Sequence, residues 1–168
     1  MTLQQPTVRG WCPGALRPME SGDGLIVRLR PRAGAFRCTE FMAMAELSVR
    51  YGNGLIDLTR RANLQLRGIT PEGLPGLWNA LRALGLLDAN AQVESVRNVM
   101  VSPLAGCDPD EIIDPRPIAR RLERGLADYA ELWRLPGKFG FVVDGGGRCS
   151  LDGERADIRL RAATMEDA

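Results

Sequence analysis

The sequence predicts an α+β fold made of two consecutive parts. Two patterns predict this class: short segments in which apolar and polar residues alternate, and longer segments with apolar residues at helical spacing. The chain has 168 residues, and 45% of them are hydrophobic. This is enough for one well-buried domain or for two small interlocked ones.

The first part begins with an arm, a strand and a helix. Residues 1–23 are rich in Pro and Gly and are predicted to be an irregular arm. Residues 25–30 alternate strictly between apolar and polar positions, which predicts a half-buried strand. Thr39 is then predicted to cap a helix over residues 40–51, which ends at a Gly-Asn-Gly sequence.

Two more strands and a second helix complete the first part. Residues 55–59 and 62–68 alternate and predict two strands. Leucines at helical spacing predict a helix over residues 71–84, with a threonine cap and a proline at its first position. The order strand, helix, strand, strand, helix predicts a ferredoxin-like half-domain over residues 24–88, with both helices on one sheet face.

The second part is predicted to occupy residues 91–168. Its predicted elements are a strand over 93–101, a helix that begins at Asp114-Pro115, and a meander of strands over 139–143, 148–151 and 156–160. The sequence Asp-Gly-Gly-Gly at 144–147 predicts a hairpin turn between the first two strands of that meander.

The polar positions of the first three strands fall on one face of the predicted sheet. If the leucines and valines face the two helices, alternation places these residues on the opposite face: Arg28, Arg30, Asp57, Thr59, Arg61, Asn63, Gln65 and Arg67. Neighbouring strands usually alternate the sign of their charges, whereas here four arginines share a face with one acid. The pattern predicts a surface for a large polyanion; an ordinary solvated sheet face is the alternative.

The overall charge argues against several classes of function. The chain has 22 basic and 21 acidic residues and a net charge of +1, so no global field attracts nucleic acid or a membrane. No segment has the length and hydropathy of a membrane span, and the start lacks the pattern of a signal peptide. A cytoplasmic location is therefore expected.

The sequence offers few metal ligands or catalytic groups. It has no histidine, and its cysteines lie far apart without a metal-ligand spacing, at Cys12, Cys38, Cys107 and Cys149. It contains no Ser-His-Asp or Cys-His constellation and no phosphate-binding loop. We therefore expect four reduced thiols and no metal site formed by this chain alone.

Four segments resemble the signature of the nitrite and sulfite reductase family. In order, they are GLIVRLRPRAGAF at 24–36, LIDLTRRANLQLRGI at 55–69, SVRNVMVSPLAGCDP at 95–109 and LPGKFGFVVD at 135–144. The resemblance covers nearly the whole chain and corresponds to the N-terminal half of such an enzyme. It implies a ferredoxin-like half-domain followed by the first part of the family's α+β sirohaem and iron-sulfur domain.

The same resemblance implies which residues bind a tetrapyrrole. On the matching positions these are Arg28, Arg30, Thr59, Arg61, Arg97, Asn98 and Lys138. Within the family, the sequence is most similar to the precorrin-3B synthase branch of aerobic cobalamin biosynthesis, whose members oxidise precorrin-3A with dioxygen by ring hydroxylation and lactone formation. Sulfite reductases carry a second lysine two positions after the first, where this sequence has Gly140.

The resemblance also implies cofactors and partners. Family enzymes contain a 4Fe-4S cluster and iron, whose ligands lie in a C-terminal half outside this sequence, and the reductases contain sirohaem. The expected partners are a polycarboxylate tetrapyrrole, a C-terminal half or a homodimer partner, and an electron-donor protein. Without that half, the oxidoreductase is expected to be inactive. Two alternatives stay open: a fragment of a sirohaem-dependent nitrite or sulfite reductase, and a non-catalytic tetrapyrrole-binding module.

Overall fold

The computed structural model describes residues 12–164, which form two β-sheets with helices packed against them. The strands are β1 Met19–Ser21, β2 Gly24–Leu29, β3 Ile56–Leu58, β4 Leu64–Ile69, β5 Val99–Val101, β6 Phe141–Asp144 and β7 Ile158–Arg161. The helices are α1 Cys38–Tyr51, α2 Leu74–Ala83, α3 Ala91–Val96 and α4 Arg116–Asp128, followed by a 3-10 helix, Ala130–Arg134.

The first sheet is antiparallel and has the strand order β1-β2-β4-β3. Val27 pairs with Leu66, and Arg28 pairs with Gln65, so apolar and polar positions alternate in step on both strands. Helices α1 and α2 both pack on the apolar face, where the buried core contains Val27, Leu29, Met44, Leu47, Leu64, Leu66, Leu77 and Leu81. The predicted α+β fold class and its ferredoxin-like half-domain are confirmed.

The helix starts differ from those expected. Helix α1 begins at Cys38, and the backbone N–H of Arg37 donates to the carboxylate of Glu40 at 2.8 Å. The predicted cap at Thr39 is therefore wrong. Thr70 does cap the turn that leads into α2, since its hydroxyl accepts a hydrogen bond from Gly73 N at 3.0 Å.

The predicted strand over residues 93–101 is wrong in its first half. This stretch begins as helix α3 and becomes strand β5 only at Val99. The side chain of Asn90 caps the helix by accepting a hydrogen bond from Val93 N at 2.9 Å. A short apolar run does not distinguish a helix from a strand, and here the Asn90 cap favours the helix.

The predicted meander is also wrong, because the second sheet is parallel, with the order β5-β6-β7. No strand forms at 148–151. Asp144 accepts hydrogen bonds from Gly146 N at 3.0 Å and from Leu151 N at 2.7 Å. These bonds turn the chain into a long irregular crossover, so that β7 runs beside β6 in the same direction rather than folding back as a hairpin.

Helix α4 begins where the Asp114-Pro115 sequence predicts, and it covers β5 and β6. Its buried Ala119 packs with Val101 and Val143 of the sheet, and Leu126 packs with Phe141. In residues 12–164, no helix has both the length and the apolar character needed to cross a lipid bilayer.

Replacement of a central core leucine tests this packing. Leu66 of β4 is completely buried in the core that the two helices cover, so Leu66→Ala is expected to lower the free energy of unfolding by about 2–5 kcal/mol. Urea denaturation followed by circular dichroism measures the loss. The matched control, Leu104→Ala at an exposed leucine, is expected to change it by no more than about 0.5 kcal/mol. Equal effects of the two substitutions would contradict the assignment of the core.

Candidate functional site

Arg61 lies in the tight turn between β3 and β4 rather than on a strand. The turn is held by Thr59, whose hydroxyl accepts a hydrogen bond from Asn63 N at 3.1 Å, and Ala62 adopts a positive φ of 55°. Arg61 is exposed, and its Nη1 lies 3.8 Å from the position that a Cβ on Gly140 would occupy. The turn therefore brings Arg61 beside the segment that contains Lys138.

Asn98 connects the first sheet to that same segment. Its Oδ1 accepts a hydrogen bond from Arg30 Nε at 3.2 Å, and its Nδ2 donates to the carbonyls of Gly137 and Phe139 at 3.1 and 3.0 Å. Asn98, Arg61 and Gly140 line one narrow cleft. The amide of Asn98 thus fixes Arg30 on one side and the loop of Lys138 on the other.

Arg30 is buried without full hydrogen bonding. Its side chain is 4% exposed, and Glu94 Oε1 lies 3.8 Å from its Nη1. This Nη1 has no hydrogen-bond acceptor among the described residues. Burial lowers the pKa of Arg30, although a guanidinium stays charged at neutral pH. The site therefore holds a buried cation with one nitrogen, Nη1, that lacks an acceptor.

Arg30 also lines the larger of the cavities near this site, which has a volume of about 410 Å³. Such a volume falls within the usual range for small-molecule sites. Hydrogen-bonding and charged groups are frequent in its wall, which includes Cys12, Arg17, Gln92, Glu94 and Ser95.

Arg28 lies on the polar sheet face, as the alternation predicts. In the amide orientation that satisfies both groups, Gln65 Oε1 accepts hydrogen bonds from Arg28 Nε and Nη2 at 3.1 and 2.7 Å. Burial lowers the pKa of Arg28, and its contact with Cys12 acts in the opposite direction. Arg67, on the same strand face as Gln65, pairs instead with Asp23 and Asp57 at 2.9 and 3.3 Å.

Arg97 has a different environment from the other predicted site residues, because it is buried and fully hydrogen bonded. Its Nε and Nη2 donate to the carboxylate of Asp88, and Nη1 donates to Pro31 O at 3.0 Å and to Glu123 Oε1 at 3.4 Å. Nη2 also donates to Arg30 O at 3.3 Å. All five N–H groups of the guanidinium are thereby used within the chain. Arg97 can hold the site together, but in this conformation it has no N–H left for a ligand.

Two predicted site residues remain, Lys138 and Thr59, and their environments differ. Lys138 is exposed at the rim next to Gly137, so its charge is available to a ligand. Thr59 supports the Arg61 turn from within it. The structure therefore brings Arg30, Asn98 and Arg61 close together, with Lys138 nearby and Arg97 behind them.

Sequence reasoning missed the buried acids that position these arginines. Glu94 accepts hydrogen bonds from the backbone N–H groups of Ala15 and Leu16 at 2.6 and 3.0 Å, which ties the N-terminal arm to α3. Burial raises the pKa of Glu94 and also that of Glu123. Asn90 is the residue from which the burial of Glu94 could have been predicted. Asn90 caps helix α3, and Glu94 is buried on this helix.

The described residues do not fit an iron-sulfur cluster. The four cysteines are free thiols, and in residues 12–164 no group of three or more His, Cys, Asp and Glu side chains is arranged to hold a metal ion. The site instead contains the guanidinium groups of Arg28, Arg30 and Arg61, a type of group that binds carboxylates in proteins.

Comparisons with known proteins agree on one family. The model of the nitrite/sulfite reductase ferredoxin-like half domain matches residues 17–84, and that of the nitrite and sulphite reductase 4Fe-4S domain matches residues 92–167. A precorrin-3B synthase from a Sinorhizobium species is 43% identical over 93% of this chain and 33% of its own length. A ferredoxin–nitrite reductase from Synechococcus elongatus is 34% identical over 89% of this chain and 30% of its own length.

A solved structure supports the fold. The NirA protein of Mycobacterium tuberculosis superimposes with a TM-score of 0.59 and 24% identity, over 72% of this chain and 22% of that one. This chain spans about a third of the length of the precorrin-3B synthase that it matches.

Removal of the Arg97 side chain tests its structural role. Arg97→Ala leaves Asp88 and Glu123 buried without their main cation, so the free energy of unfolding is expected to fall by about 3–5 kcal/mol. Arg97→Lys should recover only part of the loss, since an ammonium cannot reproduce the planar fork. Denaturant titration measures both. Arg82→Ala, at an exposed arginine of α2, is the control, and a loss as small as in that variant would contradict this role.

The raised pKa of Glu94 predicts a pH dependence. Because burial raises this pKa above the ordinary value of 4.5, the folded state takes up a proton at a higher pH than the unfolded state does. The parent protein should therefore gain stability relative to Glu94→Gln as the pH falls from about 7 to about 5. Urea midpoints of both proteins across this range measure the effect, with Glu46→Gln as the control for the loss of one exposed charge. A difference that stays constant or shrinks on acidification would contradict the assigned environment.

Proposed function

The chain belongs to the nitrite and sulfite reductase family, and from this premise we propose that it forms the substrate-binding part of an oxidoreductase of the precorrin-3B synthase type. The substrate would be precorrin-3A, oxidised with dioxygen by ring hydroxylation and lactone formation. The matched relatives are themselves a synthase and reductases.

The observation that carries this proposal is the group of cations around Asn98. Arg30 donates a hydrogen bond to Asn98, Arg61 lines the same cleft as Asn98, and Lys138 lies on the loop that the Asn98 amide holds. Precorrins carry many carboxylates, and charge-assisted hydrogen bonds from arginines are well suited to bind them. Arg30 lines the cavity, and its buried Nη1 has no acceptor in the described residues, so a carboxylate that reached this atom would supply one.

The role of these residues is binding and orientation rather than redox chemistry. An arginine fork fixes both the position and the plane of a carboxylate, which limits how the macrocycle lies in the site. In the family, the iron and the 4Fe-4S cluster supply the redox chemistry when bound. The described residues do not fit the cluster, so we assign its ligands to the part of the longer relatives that this chain does not cover.

A sirohaem-dependent nitrite or sulfite reductase is the second candidate. It is favoured by the nitrite reductase from Synechococcus elongatus, which matches 89% of this chain. Gly140 argues against this candidate, because sulfite reductases carry their second lysine at this position. A Cβ at Gly140 would lie 3.8 Å from Arg61 Nη1. Without that lysine, a small oxyanion would lose one of the cations that neutralise its charge.

We also propose that the complete oxidoreductase receives electrons from a separate donor protein. The ferredoxin–nitrite reductases among the relatives carry such a donor in their names. We further propose that the protein is located in the cytoplasm.

Titration with a stable polycarboxylate porphyrin tests the binding function. The parent chain is expected to bind uroporphyrin weakly and more tightly at low salt, because exposed charges are screened as ionic strength rises. Arg61→Ala should weaken binding by about three- to tenfold, since it removes a partly screened charge-assisted contact. Fluorescence quenching of the porphyrin measures the affinity.

The control for this titration is Arg82→Ala, which removes the same charge from the helix-covered side of the sheet. It should leave the affinity unchanged. If Arg61→Ala binds as tightly as the parent, or if octaethylporphyrin, which has no carboxylates, binds equally well, the arginines do not form the site.

A further inference from the structure

Cys12 is a free thiol in the wall of the large cavity that Arg30 also lines. Its side chain is neither buried nor fully exposed. Two backbone hydrogen bonds fix the chain just after it, since Gly14 N donates to Arg17 O at 3.0 Å and Arg28 N donates to Gly14 O at 3.2 Å. The segment that follows Cys12 is therefore held beside β2, and the thiol can be reached from the cavity.

The surroundings of this thiol are positively charged. Burial lowers the pKa of Arg28, and the contact of Arg28 with Cys12 opposes that effect. The charge of Arg61 also acts on Arg28, and the charge of Arg28 acts on Arg30. Several guanidinium groups thus lie within electrostatic range of one sulfur. Partly exposed cysteines in positively charged surroundings are the kind that react with disulfides.

Arg30 gives an independent reason to expect a ligand in the same cavity. Its side chain is 4% exposed, and its Nη1 has no hydrogen-bond acceptor among the described residues. Glu94 also lines the cavity, but its Oε1 lies 3.8 Å from Nη1, which is beyond hydrogen-bond distance. A carboxylate that reached Nη1 would provide a charge-assisted hydrogen bond. The cavity therefore combines a thiol with a guanidinium nitrogen that lacks an acceptor.

We propose that Cys12 exchanges with small disulfides that carry carboxylates, and that the guanidinium groups at the cavity hold those carboxylates. The Cys12 thiolate attacks one sulfur of the disulfide, whose S–S bond breaks. A new S–S bond joins that sulfur to Cys12, the other half leaves as a thiolate, and the thiol proton of Cys12 passes to solvent. The disulfide is itself the oxidant, so no further reagent is needed.

The size of the cavity and the chemistry of the adduct are consistent with this role. A volume of about 410 Å³ suits one small-molecule ligand. A mixed disulfide is removed again by a reducing thiol, so the modification of Cys12 is reversible. The inference rests on Cys12, Arg28 and the cavity, and it is independent of the proposed function.

Exchange rates of the parent chain with two disulfides test the proposal. Oxidised glutathione carries carboxylates, whereas cystamine carries only amines. Peptide mass spectrometry measures the mixed disulfides at Cys12 and at Cys149, which is also free and partly exposed but does not line this cavity. The ratio of the glutathione rate to the cystamine rate at Cys149 corrects for the intrinsic reactivity of the two reagents.

At low salt, this ratio is expected to be at least about tenfold higher at Cys12 than at Cys149, because a positive site concentrates an anionic reagent. High salt should reduce the difference, since exposed charges are screened. Equal ratios at the two cysteines overturn the proposal, and so does a Cys12 that forms no mixed disulfide with oxidised glutathione.

A matched pair of variants tests the role of the guanidinium groups. Arg28→Gln removes the cation that contacts Cys12 and should lower the excess at Cys12 by at least about threefold. Arg82→Gln, at an exposed arginine of α2, should leave it unchanged. Circular dichroism checks that both variants stay folded. An excess that Arg28→Gln leaves intact also overturns the proposal, and the comparison of cysteines within the parent chain does not depend on either variant.

Discussion

The buried ion-pair network around Arg97 joins the separate parts of this molecule. One guanidinium contacts Asp88 between the two parts, Glu123 on α4, and the carbonyls of Arg30 and Pro31 at the end of β2. A buried arginine needs this number of partners, since each unpaired N–H would cost free energy. Because the N–H groups of Arg97 need these acceptors, the end of β2, the segment that contains Asp88 and helix α4 meet at one point.

This meeting point determines the shape of the candidate site. Glu123 also accepts hydrogen bonds from Ala33 N at 3.0 and 3.2 Å, which fixes the turn after β2. Glu94 binds the backbone of the arm in the same way on the other side of Arg30. The approach is so close that a Cβ on Gly14 would overlap the carboxylate of Glu94. The arm, α3 and the end of β2 are thereby held together as the wall of the cavity that Arg30 lines.

Alternation predicted the first sheet well because its two faces have different surroundings. Helices cover one face, so Val27 and Leu66 had to be apolar, while Arg28 and Gln65 on the other face did not. The second sheet was harder to predict, since β6 is buried on both faces and its residues carry no alternation. Strand direction there depends on Asp144, whose backbone contacts are long-range features that no periodicity records.

The candidate site, too, could be predicted only in part, because its geometry depends on long-range contacts. Family resemblance and alternation selected arginines, but neither distinguishes an arginine with exposed donors at the candidate site from one that faces buried acids. Asp88 and Glu123 make that distinction at Arg97, and they lie on elements that meet only in the folded chain. Arg61 was assigned to a strand face, whereas it reaches the site from a turn next to Gly140.

The preference of this chain for arginine has a physical basis at the positions where the planar fork is used. Arg97 fills five hydrogen-bonding directions, and Arg159 donates to the carbonyls of Leu151, Asp152 and Glu154 along the crossover to β7. A lysine has only three donors around a single point charge and cannot span such separated acceptors. The single lysine of the sequence, Lys138, stands instead at an exposed rim, where charge alone is sufficient. The planar fork therefore explains why arginine rather than lysine stands at Arg97 and Arg159, where separated acceptors must be joined.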